Sequence, residues 1–97
     1  PECRHPYMWV CKSHYYGSTY YNFPYAFGGL FARGLYARYR RQGPDFVPVY
    51  KKLLQTTTVA TAEATARVAG IDLTDKAFWL SALDEATTQI ATFQSLL

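Results

Sequence analysis

The stretch between Pro24 and the Gly43-Pro44 pair is the strongest constraint on how this chain folds. Within it Phe27, Leu30, Phe31, Gly34, Leu35 and Tyr39 recur at steps of three and four, which places them on one face of a helix. Pro24 suits a first helical turn, where its missing N–H costs nothing. Gly43 supplies a C-terminal cap and Pro44 blocks continuation, so the spacing predicts a helix over 24–42. Gly28, Gly29 and Gly34 each weaken such a helix by about 1 kcal/mol relative to Ala. We read them as room for a close neighbouring helix rather than for a ligand. Arg38, Arg40 and Arg41 fall in the last turn, where the helix dipole favours positive charge, and are expected on a solvated face.

Beyond Pro44 the pattern stays helical. Phe46, Tyr50, Leu53 and Leu54 predict a helix ending near Leu54, with Pro48 making its first turn irregular. Residues 55–60 form a Thr-rich linker. A short helix fits 62–69, with Thr61 as N-cap and Gly70 as stop; Ile71 and Leu73 then anchor the chain. A last helix opens after Thr74 and Asp75, and Trp79, Leu83, Ala86, Ile90, Phe93 and Leu97 mark one face of it. Residues 1–23 have no helical period and hold Pro6, Gly17, Ser18 and Asn22. They read as an irregular aromatic arm, with one short strand over Met8, Trp9 and Val10. The predicted fold is therefore all-α: an arm over 1–23, then about four helices over 24–97, within one domain at most.

Composition excludes several classes. At 49% hydrophobic and 18% charged the chain is globular rather than disordered. No apolar run is long enough to span a membrane. A net charge of +3 selects no partner. Cys3 and Cys11 are too few and too spaced for a disulfide framework, so reduced thiols in the cytoplasm are expected. A chain opening on Pro1 rather than Met reads as a piece of a longer protein.

Three groups of residues could carry chemistry. Cys3, His5, Cys11 and His14 are zinc-type ligands. Their spacing matches no structural zinc pattern, and residues two apart on an extended chain point to opposite sides, so ordinary Cys and His are expected. The Arg33–Arg41 stretch interleaves cations with Tyr36 and Tyr39, as a phosphate-tracking surface would. Leu35 and Tyr39 are wanted by the core, however, and no nucleic-acid partner is expected. The third group is His14-Tyr15-Tyr16 followed by Tyr20, Tyr21 and Tyr25. Imidazole and phenol both donate hydrogen bonds to an oxygen that gains negative charge in a transition state. Tyr clusters are nevertheless more often packing than catalysis.

The stretch His5–Tyr39, above all His14-Tyr15-Tyr16 and Tyr21-Asn22-Phe23-Pro24-Tyr25-Ala26-Phe27-Gly28, resembles the C-terminal region of the oligoendopeptidase F group in the thimet-oligopeptidase-like family of zinc peptidases. Ala69-Gly70-Ile71-Asp72-Leu73-Thr74-Asp75 and Phe78-Trp79 resemble its final helices more loosely. The resemblance implies a helical catalytic domain with a zinc site in a deep channel, where a zinc-bound water attacks the scissile carbonyl. It implies that His14 and Tyr25 polarise the carbonyl or hold the oxyanion, and that Tyr16, Tyr21 and, in a shifted alignment, Tyr20 bind substrate. Short peptides would be the substrates, and the remainder of the peptidase domain the partner.

The family's H-E-x-x-H is absent: His5 and His14 are the only histidines, and neither is followed by Glu. Glu2 lies too close to the His14 segment to be taken as the third ligand. The zinc ligands are thus expected outside this chain, which alone should be inactive. The alternative is a non-catalytic helical interaction module whose aromatic arm binds a partner or self-associates.

Overall fold

The computed structural model describes residues 5–97, and all of its regular structure is helical. After a 3-10 turn at Met8–Cys11 come α1 (Ser13–Tyr16), α2 (Phe23–Gln42), a second 3-10 turn (Gly43–Asp45), α3 (Phe46–Thr56), α4 (Ala62–Val68) and α5 (Lys76–Gln94). No strand occurs among the described residues. The strand expected at Met8–Val10 is a 3-10 turn instead, closed by the Val10 N–H on the Tyr7 carbonyl at 3.0 Å and the Lys12 N–H on the Trp9 carbonyl at 3.1 Å. With no second strand to pair with, local bonds satisfy this backbone. The arm also holds a one-turn helix, α1, which the sequence reading left irregular.

The helix boundaries follow from their caps. Gly43, at φ +67°, ends α2, and Gly70, at φ +64°, ends the turn after α4. Both conformations are open to glycine at little cost. Thr61 accepts from the Ala64 N–H and Asp75 from the Ala77 N–H, which satisfies an orphan donor at the start of α4 and of α5. Asp72 accepts from both the N–H and the hydroxyl of Thr74, and these two donors, the hydroxyl foremost, hold its carboxyl below the usual range.

The core lies where α2, α3, α4 and α5 meet. Leu35, Phe46, Leu53, Ala66, Ala69, Ile71 and Phe78 are buried together, with Phe31, Val49, Leu73 and Trp79 packed against them. Gly34 lies directly under Phe78: a methyl group on it would fall 2.4 Å from the end of that ring. This is the close helix approach expected of the three α2 glycines, and it is met at Gly34 alone: Gly28 faces no atom within 4 Å and Gly29 only the Arg33 guanidinium. Trp79 donates its indole N–H to the Leu73 carbonyl at 2.8 Å, so the ring packs without an orphan donor.

Three packing expectations need correction. Tyr50 and Leu54 are exposed although Phe46 and Leu53 on the same helix are buried, because α3 offers the core a narrower face than its apolar residues suggest. In α5 the buried residues are Phe78 and Ala82, while Leu83, Ile90 and Phe93, and Leu97 beyond the end of the helix, are exposed. Phe78 packs at Gly34 and Glu85 pairs with Arg40, so α5 runs in the same direction as α2. Since α2 stops at Gln42, the later turns of α5 project beyond it with nothing to pack on. Arg38 is not solvated either: its guanidinium donates to the Ala69 carbonyl and, at 2.9 Å, to the Gly70 carbonyl. It thereby ties α2 to the end of α4.

Little of the chain is enclosed. No described residue before Gly34 is buried, and 87–97 are all exposed. The Cα radius of gyration is 17.1 Å, against about 13 Å for a compact chain of this size. The accessible surface is 7985 Å², whereas a compact monomer of this mass exposes about 5,700 Å².

Candidate functional site

The site begins with a tight local turn. The Gly17 N–H closes α1 onto the Ser13 carbonyl at 2.6 Å, and a Cβ there would stand 3.0 Å from that oxygen. The chain then reverses through Tyr20, a left-handed residue at φ 59°. A phenylalanine-like ring at positive φ is unusual and carries backbone strain. Asn22 next hands the chain to α2, with Pro24 in its first turn.

This reversal lays Tyr21 and Tyr25 against His14. The His14 and Tyr21 rings stack with centroids 5.3 Å apart and planes 8° from parallel. Tyr25 meets both edge-on, at 5.8 Å from His14 and 5.7 Å from Tyr21. These are favourable arrangements for aromatic rings. The Tyr21 phenol raises the pKa of Tyr25 above its ordinary value, first by hydrogen bonding to the neutral hydroxyl and then by repulsion between the two phenolates.

Tyr16 and Tyr20 lie outside this group. Tyr16 sets its ring edge-on to Tyr15 at 6.4 Å. With Tyr20, Phe23 and His14 it lines a wide concavity of about 490 Å³. Tyr20 is 86% exposed. His14 therefore belongs both to the ring group with Tyr21 and Tyr25 and to the lining of the concavity. Of the candidate residues, the fold brings His14, Tyr21 and Tyr25 into ring contact and leaves Tyr16 and Tyr20 at the rim. All five are open to solvent. A donor stabilises a developing oxyanion strongly only where water is excluded, so this group needs a covering surface to act catalytically.

The zinc-type ligands do not converge. Among the described residues no three His, Cys, Asp or Glu side chains could share an ion. Cys11 is free and exposed, His5 accepts the Tyr7 N–H on Nδ1 at 3.2 Å, and Cys3 lies outside the described residues. The described members of the group, His5, Cys11 and His14, do not form a zinc site, and no metal-dependent step is derived from them.

A second concavity was not anticipated. Between α2 and α3, Leu35, Phe46 and Val47 floor a cleft of about 450 Å³ whose rim is Tyr36, Tyr39 and Tyr50. The sequence reading gave Leu35, Tyr39, Phe46 and Tyr50 to the core. The usable signal was three phenols on two consecutive helices, more than a small core can enclose. The basic stretch beside the cleft is partly engaged, with Arg38 on α4 and Arg40 paired to Glu85 at 3.4 Å. No helix of the described chain is long and apolar enough to cross a membrane.

No family model, curated protein or solved structure matches the chain.

Proposed function

We propose that this chain is the substrate-facing wall of a zinc-dependent oligopeptidase of the oligoendopeptidase F type, acting on internal bonds of short peptides in the cytoplasm. The observation that carries the reading is the convergence of His14 and Tyr25, to which the family resemblance assigns the carbonyl-binding role, with Tyr21, to which it assigns substrate binding. In this reading Tyr25 donates its hydroxyl to the scissile carbonyl oxygen together with an N–H of His14. Tyr21 orders Tyr25 and the substrate backbone, and Tyr16 and Tyr20 contact the substrate further out. The remainder of the domain holds the zinc, which supplies the activated water.

The unburied surface supports the same reading. The excess over a compact monomer is about 2,300 Å², the scale of an obligate interface. A second domain segment lying over the arm would enclose this surface and exclude water from the His14–Tyr25 group. The same excess also suits the rival reading, a helical module that binds a partner or itself through its aromatic arm. Reading the coding DNA upstream of Pro1 separates the two. An in-frame H-E-x-x-H followed by a Glu ligand is the expected result, and a start codon beside Pro1 would leave only the interaction module. The isolated chain is expected to cleave no fluorogenic peptide with or without added zinc.

A further inference from the structure

We infer that the tyrosine-rimmed cleft between α2 and α3 is a binding site for an extended acidic peptide, which it grips by one aromatic side chain. The cleft holds about 450 Å³, inside the range of small-ligand sites and suited to one large side chain rather than a folded partner. Its floor of Leu35, Phe46 and Val47 is apolar, so the group that enters it is apolar. The three rim tyrosines are between 41% and 48% exposed, and none of their hydroxyls has a hydrogen-bond partner among the described residues. Phenols at a rim supply aromatic contact below and free donors above. An extended peptide has the matching parts: a side chain that points down and backbone carbonyls that stay at the rim.

Charge selects the flanking residues. Residues 23–56 contain Arg33, Arg38, Arg40, Arg41, Lys51 and Lys52 but only one acid, Asp45. Arg38 and Arg40 are engaged with α4 and α5. Arg33 and Lys51 adjoin the rim in sequence, three residues before Tyr36 and one after Tyr50, and neither has an acidic partner among the described residues. A cationic ligand would be repelled here despite the aromatic rim, whereas acidic flanks are attracted. The surface is also continuous. Tyr25, Gly29, Ala32 and Tyr36 recur at steps of three and four on α2, and the Arg33 guanidinium lies over Gly29, donating to its carbonyl at 3.3 Å. A peptide anchored in the cleft and running along α2 toward Tyr25, roughly 16 Å from Tyr36, would therefore pass the Arg33 cation.

The claim concerns binding and holds whether or not the peptidase reading does. The test is titration of the isotopically labelled 97-residue chain by NMR with a blocked Glu-Glu-Phe-Glu-Glu peptide. The expected result is shifts centred on Tyr36, Tyr39, Val47 and Tyr50. Replacing the central Phe of the peptide by Ala, or its Glu by Lys, should weaken binding by about tenfold each. On the protein side Tyr50→Ala and Arg33→Glu should weaken it similarly. Should Tyr50→Ala not fold, Tyr50→Phe keeps the ring and removes one donor, and a weakened affinity is still expected. No cleft shifts at millimolar peptide, equal binding of the Lys-flanked peptide, or shifts confined to His14, Tyr21 and Tyr25 would each overturn the inference. So would displacement of the peptide by a single-stranded oligonucleotide that binds the same residues more tightly.

Discussion

Two glycines of α2 meet opposite surroundings, and substituting each with alanine isolates the packing of α2 on α5. At Gly34 a Cβ would stand 2.4 Å from the Cζ of Phe78 and 2.5 Å from its Cε2. Comfortable carbon contacts begin near 3.5 Å, so the ring end must move by about 1 Å. Phe78 has little freedom to do so, being 8% exposed and packed against Phe31 at 5.7 Å and Trp79 at 5.1 Å. Overpacking of this kind costs about 2 kcal/mol, while the better helix propensity of Ala returns about 1 kcal/mol. Gly34→Ala should therefore destabilise the chain by about 1 kcal/mol. At Gly28 no atom lies within 4 Å, so Gly28→Ala keeps the propensity gain alone and should stabilise by up to about 1 kcal/mol. The pair should differ by roughly 8–16 °C in melting temperature, at about 4–8 °C per kcal/mol for a domain of this size. Thermal unfolding followed by circular dichroism reads this directly. Adding Phe78→Leu to Gly34→Ala should recover part of the loss, since the shorter side chain leaves room for the methyl group. Equal stabilisation by the two alanines would refute the reasoning, because α5 could not then lie on Gly34.

Further outcomes follow from the polar contacts. Arg38→Ala removes both donors from the end of α4 and should cost about 2 kcal/mol in urea unfolding. Arg38→Lys should recover little of it, because one ammonium does not reproduce a two-pronged contact. Asp72 and Glu63 both have folded pKa values below their ordinary ones, Asp72 chiefly through the Thr74 hydroxyl and Glu63 chiefly through a backbone N–H. A depressed folded pKa contributes stability that is present above the unfolded value and is lost as pH falls through the folded one. The urea midpoint should thus hold steady from neutral pH down to about pH 5 and decline below it. Asp72→Asn should flatten that decline, and an unchanged acid profile would show that the Asp72–Thr74 contact is not formed in solution.

Much of the fold was legible because its signals are local. The Pro24 start, the Gly43 and Gly70 stops and the Thr61 and Asp75 caps each depend on one residue's backbone or side chain, and they set both ends of α2 and α4 and the start of α5 within a residue or two. Gly34 was legible as a close approach because nothing else favours glycine within an apolar helix face. What stayed hidden is which apolar residues are covered. Leu83, Ile90 and Phe93 have a core-like spacing, but the helix they belong to outruns its neighbour. Arg38 looked solvated because its partners, two carbonyl groups at the end of α4, leave no mark in a sequence. At the candidate site, the residue types His14, Tyr21 and Tyr25 could be read, but their contact depends on the reversal at Tyr20, a left-handed residue that is not glycine. The α2–α3 cleft was missed because an exposed phenol and a buried one have the same periodicity.

The central claim is that His14 and Tyr25 stabilise the oxyanion in the intact peptidase. The most direct test is steady-state and single-turnover kinetics of Tyr25→Phe and His14→Ala in the full-length enzyme, with substrate binding measured separately. Each substitution should lower kcat/KM by about a hundredfold, equivalent to roughly 3 kcal/mol of transition-state stabilisation, with the substrate Kd little changed. An unchanged kcat/KM in both variants would contradict the account, and the His14–Tyr21–Tyr25 group would then be packing alone.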